Sequence, residues 1–289
     1  MDFLGFLVTQ CLNAFSQAAL LFFLGVGLTL IFGIMRIVNF AHGTFYMLGG
    51  FLGFTAVHLT GSFWAGLVIG PLVAGAIGTA FETGLLRRLY RRDESAFLMV
   101  TFGLTLVLGE IIRLTWGVDA LQVPMPEAFN GIVFLFDEPF PTYRLFLAGA
   151  GVAMALTIWQ FLERTRLGLL IRATSQNAEM VHALGVDVNL VRSGIFGIGC
   201  GLAALGGVMA APLVTASLAM APNAIIDAFV IVIIGGMGSF LGSLIAAVLV
   251  AFVQVFGNYY FPDFALAAMY LLMLLVLVIR PGGLLGKEA

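Results

Sequence analysis

Six stretches of this chain, residues 10 to 34, 63 to 86, 95 to 116, 144 to 162, 193 to 213 and 264 to 280, are apolar for long enough to cross a bilayer. A hydrocarbon core about 30 Å thick takes roughly 20 residues of helix at about 1.5 Å rise per residue. No water is available there to satisfy backbone N–H and C=O groups, so a crossing segment is either a helix or a strand of a closed barrel. Barrel strands would alternate in segments of about 10 residues. These runs are continuous instead, and 36 glycines suit closely packed helices. The expected fold is all-α, a polytopic transmembrane helical bundle forming one domain over residues 1 to 289.

Two further regions complete the count. Residues 43 to 60 make a shorter seventh run, and residues 224 to 257 are too long for one span but are divided by GGMGS at 235 to 239 into two short helices. About eight or nine crossings are expected, some short or discontinuous. The N-terminus carries Asp2 and no early Lys or Arg, so the charged start of a cleaved signal is absent and the first helix is expected to stay. Cys11 and Cys200 both lie in apolar runs, where a buried thiol is the ordinary reading and neither a disulfide nor a metal site is expected.

Charge placement sets the orientation. Counting back from a cytoplasmic tail with Arg280 and Lys287 puts Arg36, the RRLYRR run at 87 to 92, and Arg164, Arg166, Arg172 and Arg192 on the same side. Arg113 and Arg144 lie towards the other side, where the loop from 117 to 143 carries Asp119, Glu127, Asp137 and Glu138. The positive-inside rule then places the C-terminus in the cytoplasm and the N-terminus outside. Pro124, Pro126, Pro139 and Pro141 make that outer loop an ordered cap or short extended elements with no evident chemistry.

Small residues recur every four positions at Gly66, Gly70, Ala74 and Gly78, and again at Gly199, Ala203, Gly207 and Ala211. Each series lines one helix face and lets backbones approach closely. Pro71 within the first series is expected to kink its helix. Glu110 and Arg113 are three apart and pair on one helix face, which lowers the cost of charge in a span. Gln10, Asn13 and Gln17 form a polar stripe that avoids lipid by facing a partner, a pathway or the outer interface.

The segment NFAHGTFYMLGGFLGF, residues 39 to 54, sets Asn39, His42 and Thr44 beside Gly43 within apolar sequence. Polar groups and broken helices persist at membrane depth where they face protein or a watery path, so transport is the first functional class. Gly235, Gly236, Gly238 and Ser239 lie at a second break. Half-helix ends expose backbone groups that can meet a zwitterion's charges, so the two breaks form a candidate substrate pathway. The simpler reading, tight helix packing, is preferred for Gly49, Gly50 and Gly242, and His42 reads as a hydrogen-bonded structural histidine before a proton carrier.

The basic-side segment from 165 to 193 offers Ser175 as a cap, helix formers from Gln176 to Leu184, and Gly185 as a stop. Ala178, Val181 and Leu184 fall at apolar spacing, with Gln176, Asn177 and Glu179 facing water. Such a helix either docks into a partner's groove or lies on the inner leaflet.

Five blocks, NFAHGTFYMLGG at 39 to 50, RATSQNAEMVHALGVDV at 172 to 188, GCGLAALGGVMAAP at 199 to 212, VIVIIGGMGSFLGSLIAA at 230 to 247 and RPGGLLG at 280 to 286, together resemble the permease subunits of branched-chain amino acid ABC importers. The resemblance runs over nearly the whole chain in the family's order. It implies that residues 172 to 185 hold the coupling helix that seats in a cytoplasmic ATPase, with Arg172, Ser175, Asn177, Ala178, Glu179, Ala183, Leu184 and Gly185 as its residues. It also implies a second permease subunit (a related chain, or a second copy of this one), two ATPase subunits, an external solute-binding protein, and a multi-pass location in the bacterial inner membrane. The chain has no GxxxxGK[ST] phosphate loop, so ATP and Mg belong to the partner subunits and this chain is expected to be no enzyme and to bind no cofactor. No nucleic acid is implied, and membrane lipid is. Leucine, isoleucine and valine are the leading cargo, and urea, short amides and other small acids are the alternatives within the same resemblance.

A stand-alone secondary transporter or channel is the rival class, and it would draw an ion site from Glu82, Glu110 and Asp227. An intramembrane enzyme ranks below both, because His42, His58 and His182 are scattered over different segments.

Overall fold

The computed structural model describes residues 3–90, 92–136 and 138–286; Asp2, Arg91, Asp137 and Lys287, which entered the charge reading, lie outside them. Among the described residues the helices are α1 (Phe3–Met35), α2 (His42–Thr60), α3 (Phe63–Gly84), α4 (Glu94–Trp116), α5 (Thr142–Arg164), α6 (Arg166–Gln176), α7 (Ala178–Ala183), α8 (Val188–Val214), α9 (Met220–Gly235), α10 (Phe240–Tyr260) and α11 (Ala265–Ile279). Seven of the helical segments are long and apolar enough to cross a membrane. The break at 235 to 239 does divide α9 from α10, but α10 is a full 21-residue span, so only one of the two expected short helices is short.

α1 is the axis of the bundle. Apart from the Gln10, Asn13 and Gln17 stripe near its N-terminal end, its 33 residues are predominantly apolar and most are buried, as expected of a helix surrounded by others. α5, α8, α9 and α10 pack around it, and α2 and α3 pack on α8. At about 1.5 Å per residue α1 is roughly 50 Å long, well beyond a hydrocarbon core of about 30 Å. The excess at its N-terminal end meets the outer loop, which forms a hairpin of β1 (Ile132–Leu135) and β2 (Glu138–Pro141), bearing out the expected short extended elements.

The small-residue faces close as predicted. Gly66, Gly70, Ala74 and Gly78 are buried, and so are Gly199, Ala203, Gly207 and Ala211. A Cβ on Gly49 would overlap the Ala204 carbonyl, and one on Gly207 would overlap the Tyr46 carbonyl, so α2 and α8 touch backbone to backbone. Gly242 meets the Gly235 carbonyl in the same way and Gly50 rests on Met220 Sδ, which supports the packing reading for all three preferred glycines. α3 continues through Pro71, whose carbonyl faces Gly201 on α8.

α4 and α11 are the exceptions to dense packing. α4 is held near its outer end by Trp116 Nε1, which donates to Thr55 Oγ1 at 2.7 Å, while Met99, Phe102, Leu106 and Leu114 are exposed. The Glu110–Arg113 pair forms as expected, with Arg113 Nε donating to Glu110 Oε2 at 2.8 Å, but both side chains lie on this open face.

Candidate functional site

Hydrogen bonds, ion pairs and a shared cleft gather the C-terminal ends of α1, α3, α5 and α11 and the N-terminal end of α8 at one end of the bundle, which carries Arg36, Arg87, Arg88, Arg92, Arg164, Arg166, Arg172, Arg192 and Arg280. At this basic end lies a cleft of about 940 Å³. Arg36, Ile37 and Val38 from the first helix break form one wall, and Met237, Gly238 and Ser239 from the second form another. Ser175 of α6 and Leu285 and Gly286 near the C-terminus also reach it. Ser175, proposed for coupling, therefore shares one cavity with Gly238 and Ser239, proposed for the pathway.

The first break turns sharply. Arg36 ends α1 with φ 52°, a left-handed conformation uncommon for a residue with a Cβ. The chain then climbs back into the bundle, where Asn39 Oδ1 accepts from Ala41 N–H at 3.1 Å and opens α2. His42 Nε2 donates to the Leu24 carbonyl at 2.9 Å. Leu24 is eleven residues from the end of α1, so α2 begins roughly 16 Å inside the basic end. A Cβ on Gly43 would overlap the Ala221 carbonyl, so only glycine lets α2 start against α9 here.

Asn39, His42 and Thr44 are almost wholly buried and do not line the cleft. Each keeps one polar atom without a partner: Asn39 Nδ2, His42 Nδ1 and Thr44 Oγ1. Three orphaned groups within six residues are unusual, because buried polar atoms are nearly always paired.

At the second break, Gly236 and Gly238 have φ of 95° and 83°. Gly235 and Gly236 do not line the cleft either. The C-terminal RPGGLLG segment folds beneath them, with Leu284 N–H donating to the Ile234 carbonyl at 2.8 Å and Leu285 N–H to the Gly235 carbonyl at 3.1 Å. These bonds supply partners for the open carbonyls at the end of α9. Ser239 Oγ accepts from Gly242 N–H at 3.1 Å and caps α10. Sequence reasoning missed Arg36, Ile37, Val38, Leu285 and Gly286 as cleft residues; the glycines of RPGGLLG were the available signal.

The α6–α7 element corrects one expectation. A single helix capped by Ser175 was expected, but Ser175 lies inside α6, its Oγ donating to the Arg172 carbonyl at 2.8 Å. The helix breaks at Asn177, whose Oδ1 accepts from Met180 N–H at 2.9 Å and caps α7. An amide side chain in extended backbone supplies this cap, whereas the Ser175 hydroxyl is used within its own turn. Gly185 does end α7, with φ 84°.

α6 is anchored by buried Ile171 and Thr174, and by Arg172, which lies 2.7 Å from Glu163 and donates to the Leu162 carbonyl at 2.5 Å. Val181 alone anchors α7 deeply. The expected apolar face is therefore wrong at Leu184, which is 77% exposed; Ala178 is half-buried, and Glu179, Met180 and Ala183 face solvent. Met180 of α7 and Leu184 just after it are both exposed apolar side chains.

The Gln10, Asn13 and Gln17 stripe is satisfied within the chain. Arg144 Nη1 donates to Asn13 Oδ1 at 2.5 Å, Gln17 Nε2 donates to Gln254 Oε1 at 3.3 Å, and Gln254 Nε2 donates to Asp227 Oδ1 at 3.2 Å. Around these groups is a cavity of about 220 Å³ with Leu20 and Leu213 on its apolar side. Nothing in the sequence identified Gln254 as the link.

A family profile described as branched-chain amino acid transport system, permease component, matches residues 10–278. The chain is 27% identical over 300 residues to the high-affinity branched-chain amino acid transport system permease protein BraD of Pseudomonas aeruginosa, covering 96% of this chain and 95% of that one. It is 27% identical over 304 residues to the permease protein LivH of the corresponding system in Escherichia coli, covering 99% and 97%. A third relative, the Escherichia coli permease protein LivM, is 26% identical over 288 residues, covering 91% of this chain and 67% of that one.

Proposed function

The chain belongs to the family of branched-chain amino acid transport system permease components, and we propose that it is the membrane-spanning subunit through which an ATP-driven importer moves branched-chain amino acids. The observation that carries this reading is similarity to LivH and BraD along almost the entire length of both partners, joined to a bundle with two helix breaks on one cleft. Substrate would pass beside the breaks at Arg36–Val38 and Met237–Ser239, where helix ends present backbone dipoles to a zwitterion.

The proposed assembly pairs this chain with a second permease subunit, two cytoplasmic ATPases and an external binding protein. A related second chain fits the existence of LivH and LivM as separate similar proteins. α7 is the proposed contact with an ATPase: it is short, surface-mounted and capped at both ends, and it exposes Met180 and Leu184. Motion of the ATPase pair would pass through Val181 and α6 to the cleft wall at Ser175. In this arrangement the basic end is cytoplasmic and the membrane is the bacterial inner membrane. ATP and Mg act on the ATPase subunits.

A secondary transporter would need a gathered ion site. Its three candidate carboxylates are separately engaged: Glu82 with Tyr90 and Ser193, Glu110 with Arg113, and Asp227 with Gln254. Vesicle uptake of leucine, with and without ATP and binding protein, tests the function directly. Uptake that needs no ATP would overturn the importer reading. Glu179→Arg and Ala183→Trp test the coupling assignment, which fails if transport and ATPase association both stay unchanged.

A further inference from the structure

Beside the α3–α4 connection, a second cavity of about 570 Å³ opens at the basic end, separate from the cleft. Among the described residues its lining is Arg87, Arg88, Tyr90, Asn189 and Arg192, three guanidinium groups with an amide and a phenol and no carboxylate. Two of these arginines are held in place. Arg87 Nη2 donates to Ser193 Oγ at 2.7 Å and lies 3.7 Å from the buried carboxylate of Glu82. Arg192 stacks with its Cζ 4.7 Å from the centre of the Tyr90 ring, and the Tyr90 hydroxyl donates to the other oxygen of Glu82.

Glu82 thus sits behind the cavity wall and orders both side chains, while offsetting only one of three positive charges. Among the described residues Arg88 makes no side-chain hydrogen bond or ion pair and Arg192 makes only its stack on Tyr90, so their terminal N–H groups are left available on the cavity side. Asp187, the residue that caps α8, accepts from Asn189 N–H at 2.9 Å. A preorganised group of guanidinia with spare donors suits a phosphate, whose oxygens accept from such planar forks.

The position of the cavity says what would carry that phosphate. α3 ends at Gly84 and α8 begins at Val188, so the cavity lies where two spans leave the hydrocarbon. Exposed Leu85 and Leu190 flank the arginines. Cations at headgroup depth with apolar side chains beside them match the boundary of an anionic leaflet.

We propose that this cavity binds the phosphate of an anionic phospholipid headgroup, with Arg88 and Arg192 as its main contacts. The binding is independent of the transported substrate.

Native mass spectrometry of the detergent-solubilised full chain, titrated with phosphatidylglycerol or phosphatidylcholine, tests it. Wild type is expected to retain phosphatidylglycerol preferentially, and Arg88→Gln and Arg192→Gln to weaken that retention by roughly fivefold for each arginine removed, without changing phosphatidylcholine adducts. Arg88 is exposed and outside the Glu82 network, so Arg88→Gln alone keeps the test valid should Arg192→Gln fold poorly. Inorganic phosphate separates the two sources of the anion: lipid retention that survives it supports the headgroup, and displacement of the lipid overturns the proposal in favour of the free ion. Equal phosphatidylglycerol retention by wild type and variants overturns it outright. So does weaker ATPase association with lipid retention unchanged.

Discussion

His42 Nε2 and the Leu24 carbonyl oxygen lie 2.9 Å apart, and this bond ties the first turn of α2 to the middle of α1. The helix that would otherwise start at the membrane edge starts inside the bundle. His42→Leu keeps the bulk and removes the donor. It should lower stability by about 1 kcal/mol, read as a fall in melting temperature of the detergent-solubilised protein, with reduced uptake because α2 begins beside the proposed pathway.

Helix packing predicts a sharp contrast between glycines. Gly49→Ala drives a Cβ into the Ala204 carbonyl, and overpacking of this kind costs about 1–3 kcal/mol. Gly103→Ala in α4 meets nothing within 4 Å and should be neutral, or stabilising by up to about 1 kcal/mol from helix propensity. Thermal melts of both variants at equal expression check the difference. Similar loss in the two would contradict the close α2–α8 contact.

Glu82 is fully buried on α3 and accepts from Tyr90 and from Ser193 on α8. Burial first, and then Glu82 itself, raise the Tyr90 phenol far above its ordinary range, so Tyr90 remains a donor across the physiological range. Removing the carboxylate with Glu82→Ala strands these donors and Arg87, a loss of about 3–5 kcal/mol. Glu82→Gln should be milder. Chemical denaturation of α3–α8 packing, followed by a single tryptophan reporter, measures both.

On α7, burial separates stability from association. Val181→Ala should cost about 2 kcal/mol of local stability, because Val181 is buried. Leu184→Asp should leave the melting temperature nearly unchanged and weaken ATPase pull-down, because Leu184 is exposed. Pull-down and melting measured on the same preparations separate the two effects; the reverse pattern would remove α7 as the docking surface.

The helix break at Asn177 also makes a local prediction. Asn177→Ala removes the cap on Met180 N–H and should cost α7 about 1 kcal/mol, seen as faster amide exchange over Ala178–Ala183. Ser175→Ala should leave that exchange alone, since its hydroxyl bonds within α6.

The apolar runs by themselves determined that this chain is a helical membrane bundle, because hydrocarbon leaves the backbone only a helix or a closed barrel and continuous runs of about 20 residues are too long for barrel strands. The small-residue series likewise named the faces of α3 and α8 that meet, since side-chain size repeats along one face whatever the neighbour is. Gly185 ended α7 for a local reason, its left-handed φ. Where several local choices were equivalent, tertiary contacts decided. Ser175 and Asn177 are both competent caps, and the anchoring of α6 by Ile171, Arg172 and Thr174 carried the helix past Ser175. The joining of Gln17 to Gln254, and of Arg36–Val38 to Met237–Ser239 across one cleft, depends on segments some two hundred residues apart. No local pattern encodes which distant polar group or helix break becomes a neighbour; packing around α1 brings them together.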